Sequence, residues 1–136
     1  MTTEEKRRDL ARYRVGQAEE CLDEARYLLA GGKSARSAVN RAYYAMFYSV
    51  LALLVFETYS SSKHSGVIGY FNREFIRTGR IPKELGRALS DAFELRQRGD
   101  YREQFEIPPE DAERVLEQAN RFVQAIRTQL EAQHRL

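Results

Sequence analysis

Apolar residues recur every three or four positions along most of the chain, which predicts amphipathic helices. The first helix is predicted over Thr3–Ala30, because a regular apolar stripe begins after a capping box and stops before two glycines. In the capping box Thr2 precedes Glu5 by three residues, and Gly31 and Gly32 follow the last turn. The stripe consists of Val15, Ala18, Leu22, Ala25 and Leu29.

The same periodicity predicts a second and a third helix. The second begins after the cap residue Ser34 and extends to about Glu57. A serine-rich loop over Thr58–Lys63 follows, because small polar residues replace the apolar pattern there. The third helix is predicted from His64 until Gly79 ends it.

A fourth and a fifth helix complete the pattern. Pro82 is expected to be the first residue of the fourth helix, since its fixed φ suits that position and its missing N–H is not needed there. This helix is predicted to end near Arg96, with Gly99 as the breaking residue. The fifth helix is predicted from Pro109 to Gln133, with a long apolar face.

Five helices with short connectors and no strand-like alternation predict an all-α, antiparallel up-and-down bundle of about five helices, with residues 1–136 as one domain. Cys21 is the only cysteine, which favours a reducing, cytoplasmic setting over a disulfide or a zinc site. The charged N-terminus lacks the apolar core of a signal peptide, and no apolar run is long enough to cross a bilayer. We therefore expect a cytoplasmic protein without membrane association, metal or cofactor.

The second predicted helix carries charge inside an otherwise apolar stretch. Projected on a helical period, Arg41, Tyr44, Tyr48 and Leu51 fall on one line, so the guanidinium group is expected to lie along the phenol rings. Two interpretations stay open for this line. It forms a structural polar network, or it forms an anion site, because the planar fork of arginine suits phosphate.

Charge is distributed unevenly along the chain. The formal net charge is only +2, but residues 63–102 include nine basic and five acidic residues, whereas residues 103–136 include four basic and seven acidic ones. Arginine outnumbers lysine by eighteen to four, and a guanidinium group is the better partner for phosphate. A phosphate-facing surface and ordinary solvated helix faces are both consistent with four arginines of the basic segment. These are Arg73, Arg77, Arg80 and Arg87.

Three segments of the chain, taken in order, resemble a known family. They are SARSAVNRAYYAMFYSVLALL (34–54), KHSGVIGYFNREFIRTGRIPKELGRALSDAFELRQRGDY (63–101) and the final amphipathic helix. They resemble the HEPN domain family (higher eukaryotes and prokaryotes nucleotide-binding), and more narrowly its small single-domain prokaryotic branch, often encoded beside a minimal nucleotidyltransferase. The likeness extends from about Tyr13 to Leu130, and its specific part is the combination of AxNRAYYAMFY with RQxxDY.

The resemblance implies a four- or five-helix bundle that dimerises, and many such proteins are metal-independent endoribonucleases in toxin–antitoxin, defence and RNA-processing systems. Their catalytic signature is an arginine and a following histidine with four to six residues between them. Arg96 occupies the arginine position, but Asp100 and Tyr101 stand where the histidine is expected, and neither replaces an imidazole well near pH 7. Arg127 and His134 match the spacing at the end of the last helix, which we attribute to chance.

We predict a site at the junction of the second helix, the fourth helix and the GDYREQFEIPP loop. Its candidate catalytic residues are Arg96 to hold phosphate, Asp100 to fix an arginine, and Tyr101 to donate a proton or stack. Two interpretations stay open for His64: the fold brings it near Arg96 or Arg41, or it is a helix-start residue whose imidazole hydrogen-bonds the preceding loop. The candidate binding residues are Arg41, Tyr44, Tyr48 and His64.

Three functions stay open. The first is a HEPN-type subunit of a two-gene toxin–antitoxin-like pair, a homodimer that binds a minimal nucleotidyltransferase partner and also RNA. The second is a metal-independent endoribonuclease with a degenerate motif, in which Asp100, Tyr101 or His64 moves protons. The third is a non-catalytic nucleotide- or RNA-binding module.

Overall fold

The computed structural model describes residues 1–101 and 106–136, and the regular secondary structure of these residues is helical throughout. The predicted all-α class is therefore confirmed. Within these ranges no helix combines the length and the apolar character needed to cross a membrane. The α-helices, in chain order, are α1 (Thr3–Ala30), α2 (Ala35–Leu54), α3 (His64–Phe71), α4 (Lys83–Tyr101) and α5 (Pro109–Ala132).

The bounds of α1 are the predicted ones because both of its ends carry the expected signals. The hydroxyl oxygen of Thr2 accepts a hydrogen bond from the N–H of Glu5 at 3.1 Å, and the Glu5 carboxylate accepts one from the N–H of Thr2 at 3.3 Å. This reciprocal capping satisfies two backbone donors at the start of the helix. At the other end Gly32 has a φ of 65°, a conformation that favours glycine.

Helix α2 lies at the centre of the bundle, where it contacts α1, α3, α4 and α5. Its interface with α1 is the most extensive. A line of small residues on α2 is fully buried: Ala38, Ala42, Ala45, Ser49 and Ala52. The bulky line of α2 is buried as well: Tyr43, Phe47, Val50 and Leu54. The helix ends at Leu54, which is earlier than the predicted Glu57.

Helix α4 extends further than the sequence predicts. The prediction that it ends near Arg96 and that Gly99 breaks it is wrong, since the helix continues to Tyr101. Gly99 is buried, and a Cβ atom there would lie 3.1 Å from Cγ of Arg36 and 3.2 Å from Cδ1 of Ile107. The glycine therefore permits a close approach of neighbouring side chains to α4 and does not end the helix.

The segment between α2 and α3 folds back onto α3. The rings of Tyr59 and Tyr70 stack with their centroids 4.4 Å apart and an angle of 9° between their planes. A Cβ atom at Gly66 would lie 2.6 Å from Oγ of Ser61 and 2.8 Å from Oη of Tyr59, so no larger residue fits there unless these side chains move. This packing places the first residue of α3, His64, next to α2.

A π-helical turn over Asn72–Ile76 continues α3, a feature that the sequence does not predict. In this turn the N–H of Arg77 donates to the carbonyl oxygen of Asn72 at 2.8 Å. Ile76 at the end of the turn contacts Gly86 of α4, where a Cβ atom would lie 3.0 Å from its side chain. The wider turn thereby connects α3 to the first part of α4, and α4 in turn carries Arg96 back toward α2.

Candidate functional site

Side chains of α2, α3 and α4 meet in a group of aromatic rings around one arginine. We call this group the Arg96 cluster, and it consists of Tyr43, Tyr44, Phe47, His64 and Arg96. The guanidinium carbon of Arg96 lies 5.2 Å from the ring centroid of Tyr43 and 5.2 Å from that of Tyr44. Only 19% of the Arg96 side chain is exposed, so these cation–π contacts are largely screened from water.

Arg96 has few hydrogen-bond partners for a group with so little exposure. Its Nη2 donates to Oη of Tyr44 at 3.4 Å. Its Nε lies 3.6 Å from Oδ2 of Asp100, a distance that allows charge attraction but is too long for a hydrogen bond. Nε is buried and has no hydrogen-bond partner in the described part of the chain. An unpaired buried donor costs about 1–3 kcal/mol, and the attraction of the Asp100 carboxylate offsets part of this cost.

His64 joins the cluster from the start of α3. Its ring stacks on Phe47 with centroids 4.1 Å apart and an interplanar angle of 17°, and its Nδ1 lies 2.8 Å from Oη of Tyr43. The ring also lies 5.8 Å from the Tyr43 ring and 5.6 Å from the Tyr44 ring, the two rings that Arg96 contacts. Burial, and then the nearby Arg96 charge, lower the pKa of His64, so its imidazole is neutral at pH 7.

Tyr43 connects the imidazole to the core of the bundle. Burial raises the pKa of the Tyr43 phenol far above its usual range, although the charge of Arg96 acts in the opposite direction. The phenol is therefore protonated at neutral pH and forms a neutral hydrogen bond with His64. Phe93 of α4 packs against the same ring, with centroids 5.6 Å apart.

Arg41 lies beside the cluster. Its guanidinium carbon is 5.2 Å from the ring centroid of Tyr44, so Tyr44 contacts both arginines. Nη2 of Arg41 donates to Oδ1 of Asn40 at 2.9 Å, and Nη1 lies 3.8 Å from Sγ of Cys21 on α1. The donors of Arg41 are thus directed to neighbouring protein atoms, as expected for a structural polar network.

Two further predicted residues lie at the edge of the cluster. The ring of Tyr48 is 5.8 Å from that of Tyr44 and half-buried. The Asp100 side chain is 33% exposed, and its ion-pair contact is with Arg96. Within the described residues Asp100 forms no ion pair with Arg41, so the structure does not bring those two predicted residues together directly.

Tyr101 is the last residue of α4, and its side chain lies outside the described residues, as do residues 102–105 of the predicted loop. The sequence analysis does not name Tyr43 or Phe47 among the site residues. A buried phenol needs a hydrogen-bond partner, which is a signal for Tyr43. No local signal identifies Phe47, because its partner His64 follows on a different helix.

The four arginines of the candidate phosphate-facing surface are all exposed. Two of them have acidic neighbours: Nε of Arg73 lies 3.3 Å from Glu74, and Nη1 of Arg80 lies 3.9 Å from Glu57. The other two, Arg77 and Arg87, form no ion pair with any described residue. No group of three or more His, Cys, Asp or Glu side chains in residues 1–101 and 106–136 is arranged to hold a metal ion.

Comparison with known proteins agrees with the resemblance of the sequence. The family model described as HEPN domain matches residues 11–129. A "UPF0332 protein" of Thermotoga maritima is 47% identical over 115 residues, which cover 85% of this chain and 86% of that protein. The chain therefore belongs to the HEPN domain family, and the predicted family is confirmed.

Two relatives from Methanocaldococcus jannaschii carry functional names. The one named "Putative toxin MJ0142" is 42% identical over 86 residues, 63% of this chain and 58% of that protein. The one named "Putative toxin MJ0605" is 38% identical over 113 residues, 83% of each chain. The second match spans most of both proteins.

Proposed function

We propose that this protein is the toxin-like HEPN subunit of a two-gene pair and that the Arg96 cluster binds a phosphate group of RNA. Membership of the HEPN family and the names of the two Methanocaldococcus relatives support the toxin-like part of the proposal. The geometry of Arg96 supports the phosphate part.

The observation on which the phosphate site rests is the partly exposed guanidinium group of Arg96, which has no short hydrogen bond to a described residue. Two tyrosine rings position its plane, its hydrogen bond to Oη of Tyr44 is 3.4 Å long, and the carboxylate of Asp100 lies 3.6 Å from Nε. Phosphate oxygens accept parallel hydrogen bonds from the planar guanidinium fork. A phosphodiester therefore supplies acceptors for the terminal nitrogens of Arg96.

Aromatic rings beside the arginine favour RNA over inorganic phosphate as the ligand. Tyr44 and Tyr48 form a half-buried pair next to Arg96, with ring centroids 5.8 Å apart. Unpaired bases stack on such rings, and each stacked base contributes about 1–3 kcal/mol. The exposed Arg77 and Arg87 supply additional positive charge for the strand.

The test compares two arginines of α4 that differ in their surroundings. We expect Arg96→Gln to weaken binding of labelled random-sequence single-stranded RNA by about tenfold to a hundredfold, the usual value of a charge-assisted hydrogen bond. Arg98→Gln removes the same charge from an exposed side chain paired with Glu94, and it is expected to change affinity by less than about threefold. Equal effects of the two variants, or no binding by the unmodified protein, would contradict the phosphate site.

Salt dependence gives an independent measure of the same contact. Each phosphate contact to a single strand contributes about 0.7 to the slope of log affinity against log salt concentration. The slope for Arg96→Gln is expected to be smaller than that of the unmodified protein by about that amount. Binding that does not change with salt would exclude phosphate recognition.

We further propose that a minimal nucleotidyltransferase is the partner in the pair, and that the protein acts in the cytoplasm as a homodimer. This part follows from the branch of the HEPN family that the sequence resembles. Co-expression with the product of the adjacent gene, followed by size-exclusion chromatography with light scattering, tests both statements. A complex containing two copies of this chain supports them, whereas separate elution from a neighbouring nucleotidyltransferase contradicts the partnership.

A further inference from the structure

We propose that two copies of this chain associate through the outer face of α1, with their first helices antiparallel. We call this surface the α1 face, and it consists of Leu10, Tyr13, Gln17, Glu20, Glu24 and Tyr27. The homodimer of the proposed function is the premise of this inference, which adds the surface and the orientation of the two copies. Binding of RNA is not required for it.

Exposed large apolar side chains are concentrated on α1. The described part of the chain has four of them, and three lie on this helix: Leu10 is 45% exposed, Tyr13 61% and Tyr27 77%. None of these three belongs to the hydrophobic core of the bundle. Aromatic side chains are enriched at the centres of protein interfaces, so their exposure on one helix indicates a surface that another protein covers.

The spacing of the α1 face is that of two packed helices. Its six residues follow one another at intervals of three, four, three, four and three positions. This period of 3.5 residues keeps a line of side chains on one side of a helix and is typical of helix pairs. The buried residues of α1 point to α2 and α5 on the other side. A second helix can therefore pack along the α1 face without disturbing the bundle.

The charge of α1 changes sign along its length, which argues for a second copy as the occupant. Residues 3–16 contain five basic and three acidic side chains, whereas residues 17–30 contain one basic and four acidic ones. Glu20 and Glu24 form no ion pair with any described residue, because the ion pairs of α1 use Asp9, Asp23 and Glu19. Two antiparallel copies place the basic half of each helix beside the acidic half of the other.

One antiparallel register matches the α1 face to itself. A two-fold axis midway between positions 18 and 19 brings Leu10 opposite Tyr27 of the second copy, and Tyr13 opposite Glu24 of the second copy. The symmetry repeats both contacts, so the ring of Tyr27 packs on Leu10 at each end of the interface. The phenol of Tyr13 can then donate a hydrogen bond to the Glu24 carboxylate.

Association through the α1 face leaves the Arg96 cluster accessible. That cluster is formed by side chains of α2, α3 and α4, and α1 contributes no residue to it. Each copy therefore keeps its own phosphate site in the proposed dimer. Self-association and RNA binding can accordingly be measured independently, and a failure of one is distinguishable from a failure of the other.

Cross-linking tests the surface and the orientation together. Leu10→Cys and Tyr27→Cys are introduced separately into a Cys21→Ala background, which removes the only natural cysteine. A short bis-maleimide is added to each protein alone and to their mixture after subunit exchange. We expect the mixture to form a covalent dimer at least about tenfold faster, because antiparallel copies hold position 10 beside position 27 and separate the two positions 10 by about 25 Å. Equally fast cross-linking of either protein alone would overturn the antiparallel arrangement.

Replacing both tyrosines measures what the α1 face contributes to affinity. We expect Tyr13→Ser combined with Tyr27→Ser to raise the dimer dissociation constant by about a hundredfold or more, since buried aromatic residues dominate the energetics of interfaces. The control combines Lys83→Ser with Arg87→Ser, which removes two exposed side chains of α4, and is expected to change the constant by less than about threefold. Sedimentation equilibrium gives the constants, and circular dichroism shows whether each variant is folded.

Distinct results would overturn the two proposals. If the double tyrosine variant dimerises as well as the unmodified protein, the α1 face is refuted and the homodimer stands. If the unmodified chain is a monomer at high micromolar concentration, the homodimer and this inference both fail, while the phosphate site on Arg96 is decided by RNA titration. If the chain alone is a monomer and the tyrosine exchanges abolish a complex with the adjacent gene product, the face binds that protein and self-association is refuted.

Discussion

Arg96 and Arg127 show two different uses of the same side chain. Arg127 on α5 forms an ion pair with Glu19 of α1, and its Nε lies 3.2 Å from Glu131. Its hydrogen bond with Glu19 is the main reason that the pKa of Arg127 is raised. Arg96, in contrast, has one carboxylate at 3.6 Å and otherwise contacts aromatic rings.

The difference separates a guanidinium group with close charged partners from one that is incompletely paired. At the α1–α5 interface Arg127 has carboxylate partners within the protein. At the Arg96 cluster two rings position the group, the Asp100 carboxylate lies 3.6 Å from Nε, and this buried nitrogen has no hydrogen-bond acceptor among the described atoms. Burying an incompletely paired charge costs free energy, and this cost supports the proposed phosphate site.

Two glycines, Gly99 and Gly16, also differ in their surroundings, and replacing them is expected to have the largest effect on the free energy of unfolding. Gly99 is buried in the last turn of α4, whereas a Cβ atom at Gly16 of α1 would meet no neighbouring group within 4 Å. Gly99→Val is expected to lower the free energy of unfolding by about 1–3 kcal/mol through overpacking. Gly16→Ala is expected to raise it by about 0.5–1 kcal/mol because it favours the helix.

Urea unfolding followed by circular dichroism measures both changes. The comparison fails if the two glycine variants change stability in the same direction. It also fails if Gly99→Val leaves the free energy of unfolding unchanged, because the close contacts with Arg36 and Ile107 would then have no energetic consequence.

The hydroxyl of Tyr43 should matter for stability more than for RNA binding. Tyr43→Phe removes the hydrogen-bond partner of Nδ1 of His64, so we expect the free energy of unfolding to fall by about 0.5–1.5 kcal/mol, with unchanged RNA affinity. Urea unfolding and equilibrium binding give the two quantities separately. Tyr27→Phe is the matched control, since Tyr27 is 77% exposed. A loss of RNA affinity with unchanged stability would contradict a structural role of this hydrogen bond.

Replacing Arg127 should leave RNA affinity unchanged, whereas replacing Arg96 should weaken it. Arg127→Gln is expected to lower the free energy of unfolding by at most about 1 kcal/mol, because its ion pairs are partly exposed to solvent, and to leave RNA affinity unchanged. Thermal unfolding and RNA titration with the same samples check this. Weaker RNA binding by Arg127→Gln would mean that the α1–α5 interface contributes to the site.

The smallest expected effect is a pH dependence of stability that belongs to His64. Its pKa is lower in the folded protein than the usual value of about 6.5, so the unfolded chain binds more protons as the pH falls below that value. His64 therefore supports stability above about pH 6.5, and this support is lost as the pH falls through the folded-state pKa. We expect His64→Gln to reduce the loss of stability between about pH 7 and pH 5, as measured by urea unfolding.

Local signals in the sequence predict the helices well and the site only in part. The bounds of α1 follow from the capping box and the glycine pair, and Pro109 opens α5 as expected. Gly99 misleads because a glycine that ends a helix and one that permits close packing look the same in a sequence. The contacts between α2 and α3 depend on how the intervening segment folds back, so no periodicity reveals that Phe47 lies on His64.

The tight packing around Gly66 fixes the position of the first turn of α3, and therefore the position of the His64 ring. Any side chain larger than hydrogen at position 66 collides with Ser61 and Tyr59, whereas shortening those two residues would create room for it. Exchanges at these positions could therefore shift the first turn of α3 without altering any side chain of the Arg96 cluster. Position 66 thus gives control over where His64 lies relative to α2.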